Sequence, residues 1–303
     1  MKKLLILLAV LSAMICHAAE PIKIIVPFSP GGPADALART IQTELSQELA
    51  QSVVIEYKLG AGGDIGAAYV ANSNSKEVLL LLTSTAIVTN LLLKPTQSYD
   101  PNKLVLAGYI GTQSLVLVAG NKSPVKNFAE WRRSSATASY GSSGVGSATH
   151  IIGEIFAKSM DRSLQHIPYK GSAQATVDVV NGNVDCAFFF ESFAIPFLQN
   201  QQLTAIAVAA PHRLSKLPDV PTFKELGIDK MTVQPWLALF ANQSADAAEL
   251  AKVQSALAKV LKNTALFQRL GIDATDTKMP KDFLRQEQEN YGRIVKNIKI
   301  QLE

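Results

Sequence analysis

The sequence predicts an α/β protein of two lobes, and three observations carry the prediction. Residues 22–26 form a short, β-branched run, apolar but for Lys23, the mark of a strand buried on both faces of a sheet. Predicted strands then alternate with helical stripes at the pace of βαβ units. The turn residues Gly120-Asn121-Lys122-Ser123-Pro124 interrupt that series, and a second series of the same kind follows them. A chain of 303 residues suits two units of about 100–200 residues each, and an aromatic content of 7% favours α/β layers over an aromatic-rich sandwich.

In chain order, the strand at 22–26 feeds a helix whose stripe is Leu37, Ile41, Leu45 and Leu49, apolar at four-residue spacing. A strand at 53–57, a glycine-rich loop at 59–64, a helix at 65–72 and a strand at 78–82 follow, and the sheet they build reads as largely parallel. Residues 104–110 and 115–119 read as two more strands. The second series holds helix 128–133, strand 138–141, helix 148–159, strand 164–168, helix 173–181 and strands 185–190 and 203–209. The apolar stretch 233–241 returns the chain to the first lobe, and helices at 245–270 and 280–298 close it. The expected organisation is therefore lobe 1 at 19–121, lobe 2 at 122–229, and a return to lobe 1 at 230–303. Two crossings between lobes permit hinge closure over a cleft, an arrangement suited to trapping a small ligand.

The first residues pair a basic start, Met1-Lys2-Lys3, with an apolar run at 4–15 and the small-residue segment Cys16-His17-Ala18-Ala19. This pattern predicts an export signal at 1–18, cut after Ala18; the run is too short to span a bilayer. Ile15 precedes Cys16 where a lipid attachment site would have a small residue. Loss of Lys2 and Lys3 leaves 27 of the 29 basic residues against 25 acidic ones, so the net charge falls from +4 to +2. Nothing in that balance calls for a nucleic acid or an anionic membrane. Cys186 then stands alone in an apolar stretch, as a buried core thiol.

The chemistry sits in loops at strand ends, where open α/β sheets gather ligands. The first is Pro27-Phe28-Ser29-Pro30-Gly31-Gly32, followed by Pro33 at a helix start and Asp35 in its first turn. Bare backbone at Gly31 and Gly32 beside a helix N-terminus favours an anion; a tight turn with a capped helix is the plain alternative. "YGSSGVGSATH", residues 140–150, repeats the pattern in the second lobe, with hydroxyls at Ser142, Ser143, Ser147 and Thr149. "LGAGGDIGA" and "TSTAIVTN" (83–90) add two more. Opposed helix N-termini in two lobes suit a ligand with an anionic group at each end.

Other chemistries are weaker. G-x-G-x-x-G, G-x-x-x-x-G-K-[ST] and G-x-S-x-G are all unmatched. His150, His166 and His212 lack metal-ligand spacing, so no metal is expected. His150 is either a cleft hydrogen-bonder or a packing residue, and an exported hydrolase using Ser142 and His150 stays open because triads assemble in space. Lys170 in "PYKGSAQA" either offsets ligand charge or is a solvated loop lysine. Glu191, at the carboxyl end of a strand, is either a cleft acid facing an ammonium group or a hinge carboxylate. Trp236 either walls the cleft or anchors the lobe junction.

Taken in order, "VPFSPGGPADALAR", "GAGGDIGA", "YGSSGVGSATH", "IPYKGSAQA", "VDCAFFFES" and "LPDVPTFKELG" resemble the successive signatures of the Bug receptors, the periplasmic solute-binding proteins of tripartite tricarboxylate transporters. The resemblance runs from Pro21 to Ala241 and loosely beyond. It implies a two-lobe periplasmic binding protein, type II-like, with a mixed sheet flanked by helices in each lobe and a ligand cleft between them. It also implies a monomeric, non-catalytic receptor without cofactor, which captures a small carboxylate (a di- or tricarboxylate, acidic amino acid or aromatic acid) and delivers it to membrane permease subunits. On that resemblance Pro27, Phe28, Gly31, Gly32, Ala34 and Asp35 make the first-lobe site. Ser142, Gly144, Ser147 and Thr149 hold the other end, with Ser84 and Lys170 nearby. A ligand-sensing partner of a membrane signalling protein is a further alternative. Tyr57-Lys58-Leu59 stands where the family often has Asn-Arg-Pro, Ser75-Lys76-Glu77-Val78 replaces Asp-Gly-Tyr-Thr, and Glu191 replaces a common aspartate.

Overall fold

The computed structural model describes residues 20–94, 96, 98–123, 125–133, 138–232, 234–274 and 282–298, so the expected export signal lies outside it. Two mixed sheets organise the chain, in the orders β11-β4-β10-β3-β1-β2 and β7-β6-β8-β5-β9.

In the first sheet β1 (Ile22–Val26) lies between β2 (Val53–Tyr57) and β3 (Leu79–Ser84), all parallel. Their crossovers are α1 (Pro33–Leu49) and α2 (Asp64–Ala71). β10 (Trp236–Asn242) runs antiparallel between β3 and β4 (Leu104–Gln113), and short β11 (Ile272–Asp273) closes the edge. The expectation of a largely parallel sheet thus holds for three strands; the strand that returns from the second lobe enters from the opposite end and must run antiparallel. β1 and β3 bury apolar side chains on both faces, Ile24 and Leu80 into one core layer and Ile25 and Leu81 into the other. α1 ends where Ala50 adopts the left-handed conformation, its N–H bonding back to Gln47 O.

The second sheet repeats the plan. β6 (Ser139–Ser142) lies parallel between β7 (Gln165–Pro168) and β8 (Cys186–Phe190), and β5 (Leu115–Gly120) and β9 (Leu203–Ala209) add antiparallel strands. α3 (Ala86–Leu93) belongs to the first lobe; α4 (Phe128–Arg133), α5 (Ala148–Ser159), α6 (Ser172–Asn181) and α7 (Glu191–Gln199) belong to the second. Cys186 is fully buried, its thiol donating to Ser139 O, and burial pushes it up to about 12.

The first crossing falls at Ser114, not after Asn121. β5 was expected to finish lobe 1, but it pairs with β8 and β9, because its apolar residues alternate into the two core layers of the second lobe. The two crossings bond to each other: Gln113 N–H donates to Pro235 O at 2.9 Å and Gln234 Nε2 to Ser114 Oγ at 2.9 Å. The helix expected at 245–270 divides into α8 (Ala247–Val260) and α9 (Thr264–Arg269) at Asn263, a residue that favours caps over helix interiors. The last helix, α10 (Phe283–Ile298), packs on α3 and reaches α5, with Ile294 touching core residues of both lobes. Trp236 donates its indole N–H to Glu287 at 2.7 Å and stacks edge-on against Phe283, so it anchors the base of α10 and does not wall the cleft. Among the described residues no helix is long and apolar enough to cross a membrane.

Candidate functional site

A cleft holding about 580 Å³ of empty space, part of it open to solvent, lies between the lobes at the carboxyl ends of the parallel strands. Four helices begin at its walls. Gly32, Pro33 and Ala34 present the start of α1, Ser84 the approach to α3, Ser147, Ala148 and Thr149 the start of α5, and Ser172 the start of α6. First-turn N–H groups of a helix have no intrahelical partner, and their dipoles favour negative charge. Among the described residues no charged side chain lines the cleft.

The hydroxyls are arranged to donate. Thr149 Oγ1 accepts the Ser143 N–H at 2.8 Å and pairs with Ser147 Oγ at 3.1 Å; Ser147 Oγ also accepts the His150 N–H as the cap of α5. Ser143 Oγ and Ser172 Oγ pair at 3.0 Å, and Ser84 Oγ accepts the Ala86 N–H. Each pair consumes one of its two protons, so one remains to donate outward, and Ser84 keeps its own. Ser29 Oγ, on a residue 4% exposed, finds no partner among the described residues.

Beneath the loop 142–147 lies a stack of three rings. His166 stacks on Tyr140 (centroids 4.9 Å) and on His150 (4.2 Å). Ser142 Oγ accepts the Gly144 N–H and pairs with His166 Nε2 at 2.6 Å. His150 Nδ1 accepts the Gly146 N–H at 3.0 Å. Nδ1 of His150 must be unprotonated to accept that bond. Burial lowers His150 to about 3, helped by the neighbouring His166, and burial alone lowers His166 to about 4.

The lobes touch at the cleft mouth. Ser29 N–H donates to Lys170 O at 3.0 Å and Thr89 Oγ1 donates to Gly146 O, while within the first lobe Asn90 Nδ2 holds Gly62 O. Gly62 (φ +62°) packs so tightly under the second-lobe loop that a Cβ there would fall 1.8 Å from Val145 O.

Of the expected site residues, Phe28, Gly32, Ala34, Ser84, Ser147 and Thr149 line the cleft. The others need correcting. Pro27 is buried against α2, where a Cβ on Gly66 would meet it at 2.8 Å. Gly31 is exposed at φ +78° and gives its N–H to Asp35, whose carboxylate is spent on that bond, on Tyr57 OH at 2.6 Å and on Arg39 at 3.0 Å. Gly144 (φ +118°) packs on Gly62 across the lobe contact and on Tyr169 O of its own lobe. Lys170 contributes its carbonyl to closure while its side chain is exposed. Glu191 takes the hinge position: its N–H bonds Ser114 O, a Cβ on Gly271 would approach its Oε2 at 3.5 Å, and burial raises its carboxyl although Lys216 opposes. Ser142 is 1% exposed and bonded to His166, not to His150, whose Nε2 lies 3.9 Å from Glu154; the Ser142–His150 pair of the alternative hydrolase reading does not form. Ser29, Ser143, Ser172 and Phe190 join the walls unexpected. The first three were visible in the quoted loops, whereas Phe190 and the wall leucines read as core. No cluster of metal-ligating side chains occurs among the described residues.

Comparison places this geometry. Residues 37–300 match the model of the tripartite tricarboxylate transporter family receptor. Protein BugT of Bordetella pertussis is 32% identical over 76% of this chain and 73% of its own. The periplasmic binding protein BugD superposes with a TM-score of 0.86 at 25% identity, covering 93% of this chain and 99% of its own. MatC from Rhodopseudomonas palustris, solved with bound malate, shares the fold at a TM-score of 0.81 and 24% identity, over 91% of this chain and 98% of its own. The chain belongs to the tripartite tricarboxylate transporter receptor family, and it is a solute-binding receptor of the Bug type.

Proposed function

We propose that this receptor works in the periplasm, closes its lobes over a small organic carboxylate and hands it to the membrane permease of a tripartite transporter. One observation carries the ligand class: outward-facing hydroxyl protons and four helix starts surround a cleft that has no charged side chain among the described residues. Such a wall offers donors without a full counter-charge, which matches an acceptor-rich anion held by dipoles and neutral hydrogen bonds. Closure is a population shift, because the ligand touches donors of both lobes only when they meet. The family itself supports delivery to a permease, and the pattern at residues 1–18 supports export. Calorimetry on mature protein freed of co-purified ligand, against a panel of organic acids, tests the reading. One-to-one heat without product formation is the expected result; silence across the panel in refolded protein, or turnover of any acid, would refute it.

A further inference from the structure

We infer that the ligand is an organic acid with an apolar carbon body and no ammonium group, an inference that rests on reading the cleft as a carboxylate site. Two independent features lead there. The first is what the walls lack. An α-ammonium group needs an acid or a set of carbonyl oxygens, and the two carboxylates that sequence reasoning placed in the cleft are elsewhere. Asp35 is saturated by Gly31, Tyr57 and Arg39, and Glu191 sits against the hinge at Ser114 and Gly271. Thr149, Ser147 and Ser84 already spend one lone pair each on the Ser143, His150 and Ala86 N–H groups, and what the cleft offers an ammonium is neutral hydroxyl oxygen with no carboxylate beside it among the described residues.

The second feature is the apolar surface between the donors. Leu37, Leu82 and Leu237 of the first lobe and Phe190 of the second all line the cleft, and each is less than a tenth exposed. The other polar side chains of the wall are Thr83, whose hydroxyl lies against Ser84 O, and Gln113, whose amide N–H is spent on Leu270 O, so hydroxyls midway along a ligand would find fewer partners there than the water they lose on closure. A methylene chain or a ring fits that surface. The carboxylate end meets the donors instead: the unpartnered Ser29 hydroxyl, the Ser84 proton, and the spare protons of the Ser143–Ser172 and Ser147–Thr149 pairs.

Matched pairs of acids separate the two features. Titration of the ligand-free, full-length mature protein with glutarate and with glutamate compares one carbon chain without and with an ammonium. Adipate against galactarate compares one dicarboxylate without and with four hydroxyls; benzoate samples a ring. At least tenfold tighter binding of glutarate than glutamate, and of adipate than galactarate, is expected. Glutamate binding as tightly as glutarate, or galactarate as tightly as adipate, overturns the inference while leaving the carboxylate reading standing. Binding of none of the five acids, by a protein whose circular dichroism shows it folded, overturns the carboxylate reading and this inference together.

Discussion

The neutral histidine pair under the binding loop makes the stability of the second lobe fall in mild acid by a calculable amount. In the fold, burial holds His150 at about 3 and His166 at about 4, against about 6.5 in an unfolded chain. Both folded values lie below the unfolded one. Between pH 6.5 and the folded values the unfolded chain therefore binds more protons, and folded stability drops as pH falls; above pH 6.5 the effect is absent, and below the folded values it levels off. From pH 8 to pH 5 each ring costs about 2 kcal/mol at 1.36 kcal/mol per pH unit, so the pair costs about 4 kcal/mol. That is a large share of the 5–15 kcal/mol that folds a typical domain. The facing groups are Tyr140 and the Glu154 carboxylate, which accepts the Tyr140 hydroxyl and lies 3.9 Å from His150 Nε2, and neither replaces His150 Nδ1 as acceptor of the Gly146 N–H. Urea unfolding followed by circular dichroism at pH 8 and pH 5 measures the drop. His150→Phe keeps a ring in the stack while leaving the Gly146 N–H unpaired; it should cost about 1–3 kcal/mol at pH 8 and remove about half of the pH dependence. An undiminished pH dependence in both His150→Phe and His166→Phe would refute the reasoning, as would imidazole nitrogen shifts showing either ring protonated at pH 5.5.

Thr149→Val removes the acceptor of the Ser143 N–H and a donor at the cleft, and should weaken ligand binding by about 1–3 kcal/mol in calorimetry. Ser29→Ala should weaken binding with little change in thermal midpoint, because its hydroxyl has no partner among the described residues; a lower midpoint with intact affinity would move Ser29 from the site to the scaffold. Gly62→Ala puts a methyl group 1.8 Å from Val145 O at φ +62°, so it should oppose closure and weaken binding at least tenfold, with small-angle scattering reporting a wider ligand-saturated molecule. Asp35 is held below the usual carboxylate range: burial pushes it up, and the bonds from Tyr57, Gly31 and Arg39 outweigh that. Its contribution is therefore present above about pH 4 and lost as pH falls through the folded value, and Asp35→Asn should lower the thermal midpoint at pH 7 while leaving the ligand preference unchanged.

The architecture was legible because its signals are local and periodic. The apolar run at β1, the four-residue stripe of α1 and the glycine-rich strand ends each reflect a backbone that must be buried or turned. The placement of β5 was not legible: an apolar strand next to a turn reads the same whichever sheet it joins, and pairing with β8 and β9 is a long-range fact. The site divides the same way. Loops at strand ends announced where the cleft would be, and Ser147 and Thr149 followed from the start of α5. Which side chains of those loops face inward did not follow. Asp35 had the right chemistry for a cleft but turns back onto Tyr57, and Ser142 had the right chemistry for catalysis but points beneath the loop to His166.

Those two misplacements share a cause that bears on how such a receptor works. Groups carrying charge or a titrating ring occupy the layer behind the walls, where Asp35 braces the Gly31 turn, His150 braces Gly146, and His166 holds the Ser142 hydroxyl that braces Gly144. Among the described residues the walls themselves keep neutral polar groups and apolar carbon. A charge left in an emptied cleft would be solvated when open and stripped of water at each closure, a cost of several kcal/mol unless the ligand matched it. Neutral donors lose far less, so the closed arrangement stays accessible through small contacts such as Thr89 with Gly146 and Ser29 with Lys170. Specificity is then left to shape and to the apolar patch, whose Leu37, Leu82 and Leu237 belong to the first-lobe core and are fixed in place by it. A wall of this kind lets one scaffold serve many acids, and it explains why the ligand leaves so faint a mark on the sequence.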